Sequence, residues 1–296
     1  MQLARILVAT DFSAAGQRAV RLGARWAARH RAALRIVHAT PPARWLTGPW
    51  GQSRAALATI HTRAGAQLAR IAQECDPAHA LDVSTGLLTG KASTEIARAA
   101  AAFDCNLLII GARGGGALAD AESGLGGTAA KLLDRSAQPL LLVRQADVPP
   151  AEQVLAAVDL SSVSRAVIAA ARTCAQGQPL QIFHAYAVPF AERLESYGYS
   201  EQTMNVYSAA EQTRREALMS ELVGDDRGLP TEAIIVRGDA VRLLFEHIRA
   251  RQPTLVVVGQ HNAAARRSNQ SPYVSVARYV ATYAPTNVLV VPTSQQ

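Results

Sequence analysis

The chain has 296 residues, 49% of them hydrophobic and 18% charged, with a formal charge of +7. This supplies apolar material for two cores and excludes a disordered profile; no apolar run reaches the roughly 18 residues of a membrane span, which argues against a membrane protein. The basic excess favours anionic partners, but the arginines are scattered and no RNP-type motif or zinc finger accompanies them, so scattered solvated charge is the simpler reading and nucleic acid a weak one.

The N-terminus goes directly into a strand-like run, Arg5-Ile6-Leu7-Val8-Ala9, with no charged n-region, longer apolar stretch and cleavage site, so a cytoplasmic protein is expected. Ser13 is positioned to cap the helix that follows, whose apolar face is Ala19, Leu22, Gly23, Trp26 and Ala27. A second strand, Leu34–Ala39, comes next. After it lie a variable segment, Pro41–Gly51 with Trp45 and Trp50, and a longer helical stretch, about Ser53–Cys75. The segment is a candidate for a contact or a lid, against the simpler reading of partly buried loop tryptophans. A third strand over Leu81–Leu88 ends at a turn glycine, Gly90, and a helix covers Thr94–Ala102. The fourth strand, Leu107–Ile110, stops at Gly111. The glycine-heavy loop behind it runs through Gly114, Gly115 and Gly116 to Gly124, Gly126, Gly127 and Thr128, and opens a helix that leads to the strand Leu140–Val143. The order strand, glycine loop, helix leaves backbone N–H groups free beside a helix N-terminus, a geometry that suits phosphate.

After a linker at Asp147–Pro150 the same order repeats. Val154–Ser161 matches Ile6–Ser13, each an apolar strand ending at an Asp with Ser two residues later. Val167, Ala170, Ala171, Cys174 and Ala175 repeat the helix face in register, with Ser161 as the second cap candidate. Leu180–Ala185, a helix over about Ala209–Leu222, Glu232–Val236, Gly238, Val241–Arg249, Leu255–Val258 and Val288–Val291 complete the second half. Each half therefore reads β-α-β-α-β-α-β-α-β. Strands that are apolar without alternation, separated by helices, predict parallel sheets covered on both faces. The expected fold is α/β with two tandem open parallel five-stranded sheets, and the expected domains are residues 1–146 and 151–296.

The three cysteines, Cys75, Cys105 and Cys174, form no C-x-x-C pair and no zinc spacing, which fits a reducing compartment, and Cys174 reads as a small core hydrophobe. His38 and His184 recur at the end of the second strand, where packing or a structural hydrogen bond explains the repetition better than a metal site.

The first-strand end, Ala9-Thr10-Asp11-Phe12-Ser13, and the fourth-strand loop resemble the universal stress protein family, and the whole layout resembles its tandem two-domain members. The family pattern is Gly, two residues, Gly, nine residues, then Gly-Ser or Gly-Thr; here twelve residues separate Gly114 from Gly127-Thr128, and the loop carries Asp120 and Glu122. The resemblance implies a strand order 3-2-1-4-5 and a ligand at the switch point between strands 1 and 4. It implies ATP or a related adenine nucleotide, with Mg as counter-ion. Ala9, Asp11 and Ala39 would lie near the adenosine, with Ile110 and Gly111 beside them; Gly114, Gly127, Thr128 and Ala129 would line the phosphates. On their own, Asp11 reads equally well as a cap, Thr128 as an N-cap, the glycines as a surface loop, and Arg113 as a solvated side chain.

The second half has Gly259-Gln260-His261-Asn262 and Val274-Ser275 at the corresponding places, without the glycines, and reads as structural or regulatory. Among enzymes, neither a H-I-G-H type motif nor a Ser-Gly-Gly loop is present, and Gly90-Lys91-Ala92 lacks the rest of a Walker A. The expectation is at most slow ATP hydrolysis, with no assigned catalytic residue. A scaffold protein that does not bind nucleotide is the alternative. The resemblance further implies that the two final strands pair within the chain, with homodimerisation left open.

Overall fold

The computed structural model describes residues 2–42, 54–76, 80–115, 124–145, 153–187, 200–224, 230–260 and 275–293. They divide into two compact units, one of residues 2–148 with 281–292 and the other built on residues 149–280.

The first unit runs β1 (Arg5–Ala9), α1 (Ala14–His30), β2 (Ala33–Thr40), α2 (Arg54–Cys75), β3 (Val83–Thr89), α3 (Ala92–Ala102), β4 (Leu107–Gly111), α4 (Gly127–Arg135) and β5 (Leu140–Val143). These strands are parallel, in the order β3-β2-β1-β4-β5. The apolar runs that do not alternate are the ones buried on both faces. Ile6, Leu7 and Val8 of β1, Leu107 to Ile109 of β4 and Leu141 and Leu142 of β5 have no exposure. Helix α1 starts at Ser13, whose hydroxyl accepts from the Gly16 N–H, and it buries the face read from the sequence, Ala19, Leu22, Gly23, Trp26 and Ala27. Gly90 ends β3 with φ 148° and Gly238 ends the corresponding strand of the second unit with φ 143°, values that a Cβ disfavours.

The second unit runs β6 (Val154–Ala157), α5 (Ser164–Ala175), β7 (Leu180–Tyr186), α6 (Glu201–Val223), β8 (Thr231–Arg237), α7 (Ala240–Arg251) and β9 (Leu255–Gln260). Its strands are parallel in the order β8-β7-β6-β9. Cys174 is 3% exposed in the core face of α5. Two local expectations need correction. Ser161 does not cap α5: its hydroxyl and N–H are committed to the Asp159 carboxylate, and the helix begins three residues later behind Val163. Helix α6 begins eight residues before Ala209, at Glu201, because Ser200 supplies the cap by accepting from the Thr203 N–H.

Helix α8 (Val276–Tyr283) leads into the last strand, β10 (Asn287–Pro292), which lies in the first unit. It runs antiparallel to β5, with Val288, Leu289 and Val290 opposite Leu142, Leu141 and Leu140. The α/β class stands, and each half of the chain supplies five strands, β1–β5 and β6–β10; by compact unit they divide six and four. The expected pairing of Leu140–Val143 with Val288–Val291 is present, and it covers what would otherwise be an apolar edge. Asn287 fixes its start, its side-chain oxygen accepting from the backbone N–H groups of Arg144 and Gln145 at 2.9 and 3.2 Å. Among the described residues no helix is long and apolar enough to cross a membrane. Trp45, Trp50 and the Asp147–Pro150 linker lie outside the described residues.

Candidate functional site

Strand β1 ends in a tight turn. Phe12 takes φ 65°, a conformation that bulky residues rarely adopt, and three bonds hold the turn in place. The Thr10 hydroxyl accepts from the Phe12 N–H at 3.0 Å. Asp11 Oδ1 accepts from the N–H and hydroxyl of Ser13 at 3.1 and 2.5 Å. From β2, His38 donates its Nδ1–H to the Thr10 carbonyl at 2.8 Å and stacks on the Phe12 ring, centroids 4.2 Å apart. That bond places the histidine proton on Nδ1 and leaves Nε2 as an acceptor.

Strand β4 lies beside β1, so the glycine loop leaves the sheet next to this turn. Its two ends meet: the Gly126 N–H donates to the Ala112 carbonyl at 2.9 Å, and Asp11 Oδ2 accepts from the Gly115 N–H at 2.8 Å. Asp11 therefore ties the loop to β1, and the capping role open to it in the sequence is real. Gly126, at the N-cap of α4, has no side chain to cap the helix, so the first-turn N–H groups of Gly127, Thr128 and Ala129 face outward from an uncapped, electropositive end.

These elements enclose a cleft of about 730 Å³ in the first unit. Ala9, Asp11, Ala39, Ile110, Gly111, Gly114, Gly127, Thr128 and Ala129, the nine residues singled out in the sequence, all line it. The adenosine-side and phosphate-side sets thus fall in one cavity. It also takes in Arg113, weighed in the sequence against a solvated role, and residues that the sequence did not single out for it, Thr10, Gly16, His38, Lys91, Ser93, Ile96 and Lys131 among them. Lys91, Ser93 and Ile96 come from the turn and first helical residues after β3. Their only sequence signal was Gly90, which marks where a chain leaves the carboxyl end of a strand. Ser93 is 4% exposed and its hydroxyl has no hydrogen-bond partner. A buried polar atom left in this state is costly unless something in the cleft completes it.

The glycines do different work. A Cβ on Gly111 would lie 3.0 Å from the Ala15 Cβ and 3.1 Å from its carbonyl carbon, and one on Gly16 would lie 2.6 Å from the Thr10 hydroxyl oxygen. Both permit close packing of α1 on the sheet. On Gly114 it would meet Asp11 Oδ2 at 2.9 Å, whereas on Gly127 it would meet no protein atom within 4 Å. Gly127 lies exposed at the cleft rim, and nothing in the fold requires glycine there.

Among the described residues the lining carries Lys91, Arg113 and Lys131 against one carboxylate, that of Asp11. Burial alone would raise the Asp11 pKa, but the hydrogen bonds from the Ser13 hydroxyl, the Gly115 N–H and the Ser13 N–H outweigh it and hold the carboxyl below its ordinary value. Arg113 is exposed, and its Nε donates to the Gly124 carbonyl at 3.2 Å. Among the described residues no group of three or more His, Cys, Asp and Glu could hold a metal ion. Asp120 and Glu122 lie outside the described residues.

The second unit repeats the turn but not the cleft lining. Leu160 has φ 59°, Asp159 accepts from Ser161, and His184 donates to the Val158 carbonyl at 2.9 Å. Asn262 and Val274 lie outside the described residues.

The model of the Universal stress protein family matches the chain twice, over residues 3–144 and 150–292. Among solved structures, a universal stress protein from Archaeoglobus fulgidus DSM 4304 superposes with a TM-score of 0.73 at 17% identity, covering 99% of this chain and 99% of that one. One from Pseudomonas aeruginosa UCBPP-PA14, described as a putative universal stress protein, gives 0.63 at 19% identity over 99% and 94%. A universal stress protein in complex with cAMP matches 48% of this chain and 98% of its own, at 23% identity and a TM-score of 0.39. No curated protein matches. With two family matches spanning nearly its whole length, the chain belongs to the universal stress protein family.

Proposed function

We propose that the chain is a tandem stress protein, with domains at residues 1–146 and 151–296, that binds one adenine nucleotide, ATP in the first instance, in the cleft of its first unit. It acts in the cytoplasm as a regulator rather than an efficient catalyst. The observation that carries the reading is the convergence of an uncapped helix N-terminus, a glycine with an open Cβ direction and two lysines on one 730 Å³ cleft. A cavity of this size falls within the ~300–1,000 Å³ of small-molecule sites. The α4 N-terminus, with Lys91 or Lys131, would take the phosphates. Ala9, Ala39 and Ile110 offer an apolar floor for the base, and Asp11 an acceptor for a ribose hydroxyl. Mg would travel with the phosphates.

Asp11 also supports the alternative, an interaction protein without a nucleotide, since both carboxylate oxygens already hold the turn and loop together. The two readings separate by mass spectrometry of the ligand released from protein purified without added nucleotide, followed by calorimetry with ATP, cAMP and adenosine on the full chain. The nucleotide reading expects one saturable adenine-nucleotide site per chain. Two equal sites would contradict the assignment to the first unit, and no saturable binding of any of the three would leave the scaffold reading standing.

A further inference from the structure

A second cavity of about 300 Å³ lies in the first unit, lined by residues that follow β4 and β5 and by the start of α1. Arg18 of α1, Arg113 of the glycine loop and Arg144 at the end of β5 line it, with Ala15, Tyr283 and Pro285 completing its wall. Among the described residues no carboxylate is part of the lining, and none lies within ion-pair distance of these three arginines. Guanidinium groups stay charged in proteins, so three of them around one cavity are a concentrated positive charge.

Arg144 shows how incomplete the site is. Its Nη2 donates to the Ala281 and Thr282 carbonyls at 2.5 and 2.9 Å, closing the end of α8. Its Nη1 is shut away from solvent and meets no acceptor, and the same is true of Arg18 Nε. Burial, and then the neighbouring charge of Arg113, pull the Arg144 pKa down to about 10. Placing unpaired guanidinium N–H groups out of water costs several kcal/mol unless an acceptor is supplied. A tetrahedral oxyanion supplies several acceptors at once and cancels the like-charge repulsion, and arginine forks match its geometry.

We infer that the cavity between Arg18, Arg113 and Arg144 is a binding site for a small phosphate-class dianion, either free phosphate or the phosphate group of a small metabolite. It is distinct from the cleft, and among the described residues the two linings share only Arg113. Its volume is less than half that of the cleft and at the low end for small-molecule sites, which fits one compact anion better than a nucleotide.

The test is calorimetry of the full chain with inorganic phosphate, glycerol 3-phosphate, acetate and chloride at matched ionic strength, alongside thermal denaturation. One saturable phosphate per chain is expected, with acetate and chloride at least tenfold weaker. Tighter binding of glycerol 3-phosphate would assign the site to a metabolite, and tighter inorganic phosphate to the free ion. Arg18→Gln, on the half-exposed side of α1, should weaken phosphate at least tenfold, while Gly127→Val in the cleft should leave it unchanged. Arg144→Lys, which keeps the charge but loses the fork, should weaken phosphate by a smaller factor and serves if Arg18→Gln does not fold. Absence of saturable phosphate binding would overturn the proposal. So would equal affinity for chloride, or loss of binding in Gly127→Val with retention in Arg18→Gln. Phosphate binding that emerges only in the double variant Asp120→Asn, Glu122→Gln would also overturn it, because the chain's own carboxylates would then be the occupants.

Discussion

Replacing Gly127 by valine separates a phosphate cradle from a loop that merely contains glycine. A Cβ at this position meets no protein atom within 4 Å, so the substitution has no clash to relieve. Gly127 is the first residue of α4, and valine is a slightly better helix former than glycine, so stability should hold or rise by a few tenths of a kcal/mol. The branched side chain would then occupy the cleft where a phosphate is to approach the α4 N-terminus. Loss of one hydrogen bond to a charged group costs about 1.5–3 kcal/mol, which is roughly 10- to 150-fold in Kd for ATP. Adenosine has no phosphate and should bind within about twofold of the parent chain. Gly111→Ala is the contrasting control. Its Cβ would press on Ala15 at 3.0 Å, so it should lose about 1–3 kcal/mol of stability through overpacking. Calorimetry with ATP and adenosine, together with thermal denaturation followed by circular dichroism, reads both effects. If Gly127→Val binds ATP as the parent does while remaining folded, the α4 N-terminus is not where phosphate sits.

Asp11→Ala should weaken ATP and adenosine alike, by roughly 1–3 kcal/mol, and should also destabilise the first unit, because the Ser13 and Gly115 donors lose their acceptor. Since the Asp11 pKa is lowered on folding, its ionic contribution to stability is present above its ordinary 3.8 and is lost as the pH falls through the folded value; the gap in denaturant midpoint between the parent and Asp11→Ala should therefore narrow as the pH falls below 3.8, and a gap that widens in acid would contradict this. For His184, burial lowers the pKa on folding; the Val158 carbonyl and Asp159 oppose this and Arg215 adds to it. The unfolded chain then binds the extra proton, so stability should be full above pH 6.5 and decline as the pH falls from there through the folded value. NMR titration of His184 should place its midpoint below 6.5, and a midpoint above it would refute the assignment.

What was legible in the sequence was what periodicity and repetition encode. Strand runs such as Leu107–Ile110 can be satisfied only by covering both faces, and Asp11 and Gly111 mark the carboxyl ends of adjacent strands. Five strands per half and the pairing of β10 with β5 were both expected; what the sequence did not show is that the last strand belongs with the first compact unit. Local propensity cannot report which edge an apolar strand will choose. Ser161 failed as a cap for a similar reason: a hydroxyl two residues after an aspartate can serve the helix or the carboxylate, and here the carboxylate takes it. Lys91, Ser93 and Lys131 were invisible as site residues because they reach the cleft from elements far apart in the chain, and nothing in their spacing says so. The hydroxyl of Ser93 becomes informative only once its burial is known.

The same turn is built twice, with different side chains around it. Both copies hold Asp-x-Ser in a strained bend, and both brace it with a histidine from the next strand, so the frame alone does not make a site. The difference lies in the side chains around the frame. Where the first unit has Gly16, the second has Ser164, fully buried, with its hydroxyl 3.1 Å from Asp159 Oδ1. Where the first has Ala15 beside Gly111, the second has Val163, and a Cβ on Gly259 would lie only 2.6 Å from it. His38 looks into the cleft, whereas His184 is 3% exposed, stacked parallel to Tyr186 at 6.2 Å, with Arg215 over the tyrosine ring at 6.0 Å. Of these positions, Gly16 and His38 line the first unit's cleft, so the difference on that lining is the added side chain of Ser164, bonded to Asp159, and the burial of His184.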